Sequence, residues 1–179
     1  MKMVSKTALL MMLLLTALTA KVENEGLYLV GKALMTTPEE MEHDEASLES
    51  GYGSGFGIDL GYKLPKHFAI ELDMSYDRND VEEKVTAVTA TGIYMTYALD
   101  VVYTYHLTHH FGLIGKLGYE VENEKVDHFN IDSTLSGAVF GAGLEYILNK
   151  KYEIVAEYEH SMIISTRGQS FFIGVKYNF

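Results

Sequence analysis

Hydrophobic side chains fall at every second position along most of this chain. In Ser170 to Phe179 the residues Phe171, Ile173, Val175, Tyr177 and Phe179 share one parity, while Ser170, Gly174, Lys176 and Asn178 hold the other. A period of two marks a strand with one apolar face. Such a strand, ending on an aromatic residue, must have its greasy side covered by a membrane or a tight core.

The same alternation recurs upstream. Gly26 to Met35 is the first strand; Leu27 with Leu29 and Tyr28 with Val30 compete for the apolar face, so both parities stay open, and Lys32 must turn away from lipid. From Gly51 to Leu64 the residues Tyr52, Phe56, Ile58, Leu60, Tyr62 and Leu64 oppose a row of glycines with Asp59 and Lys63. Glycines on one face make room on the concave side of a curved wall. Phe68 to Tyr76 continues the pattern against Glu71 and Asp73, and Ile93 to Tyr105 runs against Asp100. Phe111 to Val121 alternates with Lys116 and Glu120, Ala138 to Leu148 with Glu145, and Tyr152 to Met162 with Glu153, Glu157 and Glu159. The final strand makes eight.

Connections alternate in length. Pro65-Lys66-His67, Leu107 to His110 and Asn149-Lys150-Lys151 read as short turns; Thr36 to Ser50, Asp77 to Val88 and Glu122 to Ser133 read as long, polar, solvated loops, and Ile164 to Gln169 as a shorter one. Long acidic loops at one rim and tight turns at the other are the layout of a transmembrane barrel. The predicted fold is therefore all-β, an eight-stranded antiparallel up-and-down transmembrane β-barrel.

Aromatic placement gives an independent indication. Tyr62, Phe68, Tyr103, Tyr105, Phe111, Tyr146, Tyr152, Tyr177 and Phe179 flank the short turns or the terminus on the apolar parity, as one interfacial girdle would. Tyr52, Tyr76 and Tyr119, near the long loops, make a thinner opposite girdle.

Composition narrows the setting. Lys2 and Lys6 precede an unbroken apolar run from Ala8 to Leu15, and small residues follow to Ala20, which is the order of a secretory signal peptide with cleavage after residue 20. The barrel domain is then residues 21–179. Without those two lysines, twelve basic and 25 acidic residues leave a charge of −13, which repels phosphate backbones and excludes nucleic acid as a partner. Cysteine is absent, so thiol nucleophiles, disulfides and thiolate metal sites are excluded.

Two stretches carry a family resemblance: Gly141-Ala142-Gly143-Leu144-Glu145-Tyr146, and Gly174-Val175-Lys176-Tyr177-Asn178-Phe179. With the strand pattern over residues 26–179, they make the chain resemble the small outer-membrane β-barrel family, the outer membrane protein A-like and opacity-protein-like "porin family" barrels. The resemblance implies a place in the cell outer membrane, contact with outer-membrane lipid and lipopolysaccharide, and an encounter with the outer-membrane assembly machinery through a C-terminal signal of Gly174, Tyr177 and Phe179. Phe172 departs from that signal, which is polar there. Family members share architecture rather than activity.

The chemistry sits on the lumen parity, where Asp59, Glu71, Asp73, Asp100, Glu120, Glu145, Glu153, Glu157 and Glu159 face Lys32, Lys63, Lys116 and Lys176. Eight strands enclose space for side chains only. A salt-bridged plug is the expectation, with a narrow cation-preferring pore as the alternative. Counting outward from the His109 turn sets Lys116 opposite Asp100 and predicts contact between them. Glu159-His160-Ser161 resembles the His and Ser pair of lipid A deacylases, but neighbouring strand residues point to opposite faces, which separates a hydrolytic pair. The Glu39 to Glu49 acids with His43 lack regular ligand spacing and read as a solvated face, His109-His110 reads as turn, and no glycine loop opens a helix to hold phosphate. The expected role is non-enzymatic, without cofactor or metal: envelope integrity, or surface interaction through the long loops.

Overall fold

Alternating side chains become a closed wall when every strand finds a partner on both sides. In the computed structural model, which describes residues 26–43 and 46–179, ten strands are paired antiparallel throughout: β1 (Gly26–Thr36), β2 (Glu40–His43), β3 (Ala46–Ser50), β4 (Gly53–Lys63), β5 (Phe68–Glu83), β6 (Thr89–His106), β7 (Phe111–Val126), β8 (Ile131–Ile147), β9 (Tyr152–Ser161) and β10 (Ser170–Asn178). Eight of them, β1 and β4 to β10, form the barrel. The β1–β10 ladder from Tyr28↔Asn178 to Thr36↔Ser170 closes it and removes the free edges that a bilayer does not tolerate. The segment read as a signal peptide, residues 44–45 and the side chain of His43 lie outside the described residues.

The open parity of β1 resolves to one answer. Tyr28, Val30, Lys32, Leu34 and Thr36 face inward, and Leu29, Gly31, Ala33 and Met35 face out. Tyr28 gains an inner site because Gly61, one strand away, has no Cβ; an added methyl would lie inside the Tyr28 ring. Its hydroxyl then reaches Glu71 at 2.6 Å.

The three stretches expected as long loops are mostly strand. Asp77 to Glu83 continues β5 and pairs with β6 up to Glu82↔Thr89, leaving only residues 84–88 as turn. Glu122 to Val126 continues β7 and pairs with β8 up to Val126↔Ile131, turning through the short helix Asp127–Phe129 with Asn130 left-handed. Much of Thr36 to Ser50 forms the β2–β3 hairpin, whose Leu48 to Ser50 adds to the end of β5. Their polarity reflects position above the bilayer, where both faces of a strand can be hydrated, rather than a lack of pairing.

Strand lengths are unequal, and this shapes the outer rim. β9 ends at Ser161, β10 begins at Ser170 and β1 ends at Thr36, while β5 to β8 rise well beyond them. Above that level the wall is a partial cylinder of β2, β3 and β5 to β8. At the opposite rim the connections are tight: Thr108 Oγ1 accepts from the Phe111 amide at 3.0 Å, and Asn149 Oδ1 accepts from the Lys151 and Tyr152 amides at 2.9 and 3.1 Å.

Outward side chains form a continuous apolar band. Near the tight turns the girdle aromatics lie against one another, with ring centroids 5.0 Å apart for Phe68–Tyr103, 4.9 Å for Phe111–Tyr146, 5.2 Å for Tyr152–Tyr177 and 5.0 Å for Tyr177–Phe179. Towards the tall rim, Phe56–Tyr76 and Tyr158–Phe171 pair at 5.7 and 4.9 Å.

Candidate functional site

Inward side chains stack in layers along the barrel axis, and the layers alternate in character. At the tight-turn end Lys176 Nζ lies 2.9 Å from Glu145 and 3.0 Å from Glu153, Lys63 lies 3.3 Å from Glu153, and Asn178 donates to Glu153 at 2.9 Å. His106 Nε2 is 3.4 Å from Glu145 at the mouth. Above them comes an apolar layer of Tyr28, Val30, Ala69, Val102, Ile114 and Val155.

The next layer is ionic. Lys116 Nζ, almost fully enclosed, sits 2.7 Å from Glu157, 2.8 Å from Glu71 and 3.4 Å from Glu159. Lys32 binds Asp73 and Asp59, the latter at 3.0 Å, with Glu159 at 4.0 Å. Its ammonium also lies 3.9 Å above the Phe172 ring. That cation–π contact gives a physical place to the residue that departed from the terminal signal. Gly174 also faces inward, with Lys32 alongside it, while Tyr177 and Phe179 touch on the outer wall.

The register corrects one expected contact. The β6–β7 hairpin is centred on His109 itself, so Lys116 faces Val102, and Asp100 faces Gly118. Lys116 spends its charge across the lumen on Glu71 and Glu157 rather than on Asp100, and Asp100 Oδ1 is buried without a hydrogen-bond partner.

The segment expected as a shorter loop, Ile164 to Gln169, turns its middle residues into the barrel. Ser165, Thr166, Arg167 and Gly168 are all buried. Arg167 Nε is 3.0 Å from Asp77, its Nη1 is 3.3 Å from Glu120 and 3.5 Å from Glu122, and its Nη2 donates to Ser75 Oγ at 3.3 Å. Around it Thr166 donates to Glu124 from its amide at 3.1 Å and from its hydroxyl at 2.6 Å. Asn79 Nδ2 reaches the Thr166 carbonyl at 2.8 Å, and the Tyr94 hydroxyl lies 2.6 Å from Thr166 Oγ1. The C-terminal end of the segment is tied twice to residue 37: the Thr37 amide donates to the Gln169 carbonyl at 2.9 Å, and the Gln169 amide to Thr37 Oγ1 at 3.0 Å. Gly168 has φ of +75°, and a Cβ there would strike the Thr37 carbonyl. Only glycine meets both demands without strain.

An apolar lid completes the stack. Leu48, Val81, Val126 and Ile131, all nearly inaccessible, meet across the top of the extended wall, with Met41, Ala90 and Phe129 against them. Outside the lid, Lys84 bridges Glu40 at 2.7 Å and Glu49 at 3.5 Å, and the hydrogen bond it donates to Glu40 raises its ammonium pKa.

The structure thus places Lys32, Asp59, Glu71, Asp73, Asp100, Lys116, Glu120, Glu145, Glu153, Glu157, Glu159 and Lys176 inside, with Lys63 half-exposed at the mouth. Sequence reasoning left Asp77, Glu122 and Glu124 in loops and did not single out Tyr94, Thr166 or Arg167. Among the described residues twelve buried carboxylates face four buried cations. His160 is exposed on the outer wall, whereas Ser161 Oγ turns in and donates to Glu120 at 2.9 Å. The described residues contain no group of three or more His, Asp or Glu side chains arranged to hold a metal.

Comparison with known proteins agrees with this architecture. The family profile described as "outer membrane protein beta-barrel domain" matches residues 7–179. Among solved structures, the outer membrane protein OprG from Pseudomonas aeruginosa superposes with a TM-score of 0.70 at 13% identity, covering 88% of this chain and 97% of that one. Ail, the attachment invasion locus protein of Yersinia pestis, solved with the heparin analogue sucrose octasulfate, gives 0.57 at 21% identity, covering 88% and 100%. Neisserial surface protein A gives 0.58 at 15% identity, covering 86% and 97%. No curated protein sequence matches the chain.

Proposed function

We propose, for a chain that belongs to the outer membrane protein β-barrel domain family and resides in the cell outer membrane, a non-enzymatic structural role as a filled, non-conducting barrel that carries a rigid β-sheet platform outside the cell. The observation that carries this reading is the continuous stack of lumen layers closed by Arg167. A water-filled path would have to cross the tight-turn ion layer, the Tyr28 to Val155 apolar layer, the Lys32 and Lys116 layer, the Arg167 layer and the Leu48 to Ile131 lid. Hydrophobic layers are costly to wet, and paired buried charges are costly to separate. The surplus of buried carboxylates favours the second reading, a narrow cation-preferring pore, and conductance separates the two.

Hydrolysis of lipid A has no support in the wall. His160 and Ser161 point to opposite sides, and the serine hydroxyl is already held by Glu120. Nor does the heparin-analogue ligand of Ail carry over. A chain with a formal charge of −11 over its whole length, and with Glu40, Glu42, Glu49, Asp80 and Glu82 on the extended sheet, repels a polysulfate. The surface role belongs to partners that tolerate or seek negative charge.

Complementation tests the proposal. Cells lacking this protein are expected to become more sensitive to detergent and to large antibiotics, and wild type or His160→Ala to restore resistance equally, with lipid A intact. Deacylated lipid A that depends on His160 would overturn the non-enzymatic reading, and unchanged sensitivity on loss would overturn the envelope role.

A further inference from the structure

The Arg167 layer holds more acid than its one cation neutralises. Glu120, Glu122 and Glu124 share one parity of β7, so all three enter the lumen, and Asp77 meets them from β5. Four carboxylates and one guanidinium are thus enclosed together, and the described residues offer no group of three or more acids arranged to hold a metal. Charge left unshielded in such a space is costly, and a proton is the one neutralising ion that needs no coordination cage.

The partners of each carboxyl decide which one takes it. Asp77 accepts from Arg167 Nε at 3.0 Å, Glu120 accepts from Nη1 at 3.3 Å and from the Ser161 hydroxyl at 2.9 Å, and Glu124 accepts from the Thr166 amide and hydroxyl. Glu122 is held least. Its Oε2 lies 3.5 Å from Nη1, and its buried Oε1 has no hydrogen-bond partner. It also stands between two like charges on the same strand face. Beyond Tyr119 of the upper girdle, and so above the bilayer, burial pushes the Glu122 carboxyl up to about 7 against the pull of Arg167 and the Ser165 hydroxyl, with Glu120 and Glu124 adding to the rise.

The other groups near it are already engaged or uncharged. Tyr94 of β6 bonds Thr166 Oγ1, and lower down Lys32 holds Asp73 while Lys116 holds Glu159. Thr36, Ser50, Gly55, Leu135, Ser161 and Ser170, which face inward from β1, β3, β4, β8, β9 and β10, carry no charge. The segment that brings in Arg167 is also free to move. Residues between Ser161 and Ser170 belong to no strand, and β9, β10 and β1 stop beneath them, so the segment can withdraw sideways without breaking a ladder. Withdrawal admits water to the acids it covered.

We propose that Glu122 is a proton-binding site that latches the Ile164 to Gln169 segment, taking up a proton as the pH falls and holding the segment shut. Once hydrated, the carboxyl ionises at its ordinary value of about 4.3; enclosed, it does so near 7, so the closed form carries the extra proton between those values. Closure therefore strengthens by up to about tenfold for each pH unit on the way down from about 7 to about 5, and is level above 7. The Lys32 and Lys116 layer and the apolar layer below it are untouched by the latch, so its failure would leave the non-conducting reading standing.

Amide exchange of the refolded full chain in phospholipid vesicles, read by mass spectrometry on peptides covering residues 162–169, tests the latch. Corrected for the intrinsic exchange rate at each pH, wild-type protection is expected to fall about tenfold per unit between about pH 5 and 7 and then to level off. In Glu122→Gln, which mimics the protonated form, protection is expected to stay high across the range. Heat-modifiable gel mobility identifies a variant that fails to fold. For that case infrared titration of the wild type gives a second readout, with a protonated-carboxyl band expected to grow between about pH 8 and 6. Wild-type protection independent of pH, an unchanged pH profile in folded Glu122→Gln, or no carboxyl band appearing over that range would each overturn the latch.

Discussion

Arg167 is the single side chain on which most of the upper lumen depends. Its guanidinium meets three carboxylates and a hydroxyl in a space closed to water. Truncation strands Asp77, Glu120 and Glu122 as uncompensated buried charges, so Arg167→Ala is expected to cost about 3–5 kcal/mol in urea unfolding from lipid vesicles. Arg167→Lys, which keeps the charge and loses the fork, is expected to fall between. If the alanine variant unfolded with wild type, the upper ion layer would have no structural weight. Gly168→Ala is expected to destabilise as well, because the left-handed backbone and the Thr37 carbonyl leave no room for a methyl. Neither residue was legible beforehand. Ile164 to Gln169 has no alternation, and the available signal was indirect: a lumen parity rich in acids and short of cations, with an arginine flanked by small residues nearby. The parity of the lumen charges, by contrast, followed from period two alone, since a residue's face depends only on its count from a neighbour. Lys116 against Asp100 failed for the complementary reason, because register depends on where the turn is centred and a shift of two residues leaves parity untouched.

At the scale of elements, the hairpins of the tall rim distinguish polarity from disorder. Asp77 to Glu83 and Glu122 to Val126 are charged on both faces, and nothing in their composition announces a strand. Their pairing follows from neighbours that continue in register above the bilayer, and from buried apolar positions at Val81, Val126 and Ile131. Amide exchange in micelles is expected to show Asn79 to Val81 and Ala90 to Gly92 protected, with fast exchange confined to the tip around Lys84 to Ala87. Uniformly fast exchange from Asp77 to Val88 would return that stretch to a loop. The lid gives a second handle. Leu48→Ala removes a fully buried side chain and is expected to cost about 2–5 kcal/mol locally, read as faster protease cleavage in the β2–β3 hairpin while the membrane barrel keeps its heat-modifiable mobility. Cleavage at the wild-type rate would show that the lid does not hold the hairpins.

For the whole molecule, the sequence already carried eight membrane strands, tight turns at one rim, an aromatic girdle and an inner face of charge, because each follows from short-range pattern. Two features depended on contacts across the barrel and were out of reach of pattern: the inward plug, and the alternation of ionic and apolar layers down the axis. Together they turn an acid-rich lumen into a solid one. Single-channel recording of refolded protein in planar bilayers tests this most directly. The account predicts a silent membrane at either polarity, for wild type and also for Arg167→Ala, since the Lys32 and Lys116 layer and the Tyr28 to Val155 layer still fill the barrel beneath the plug. Stable, cation-selective unitary currents from the folded wild-type barrel would contradict it.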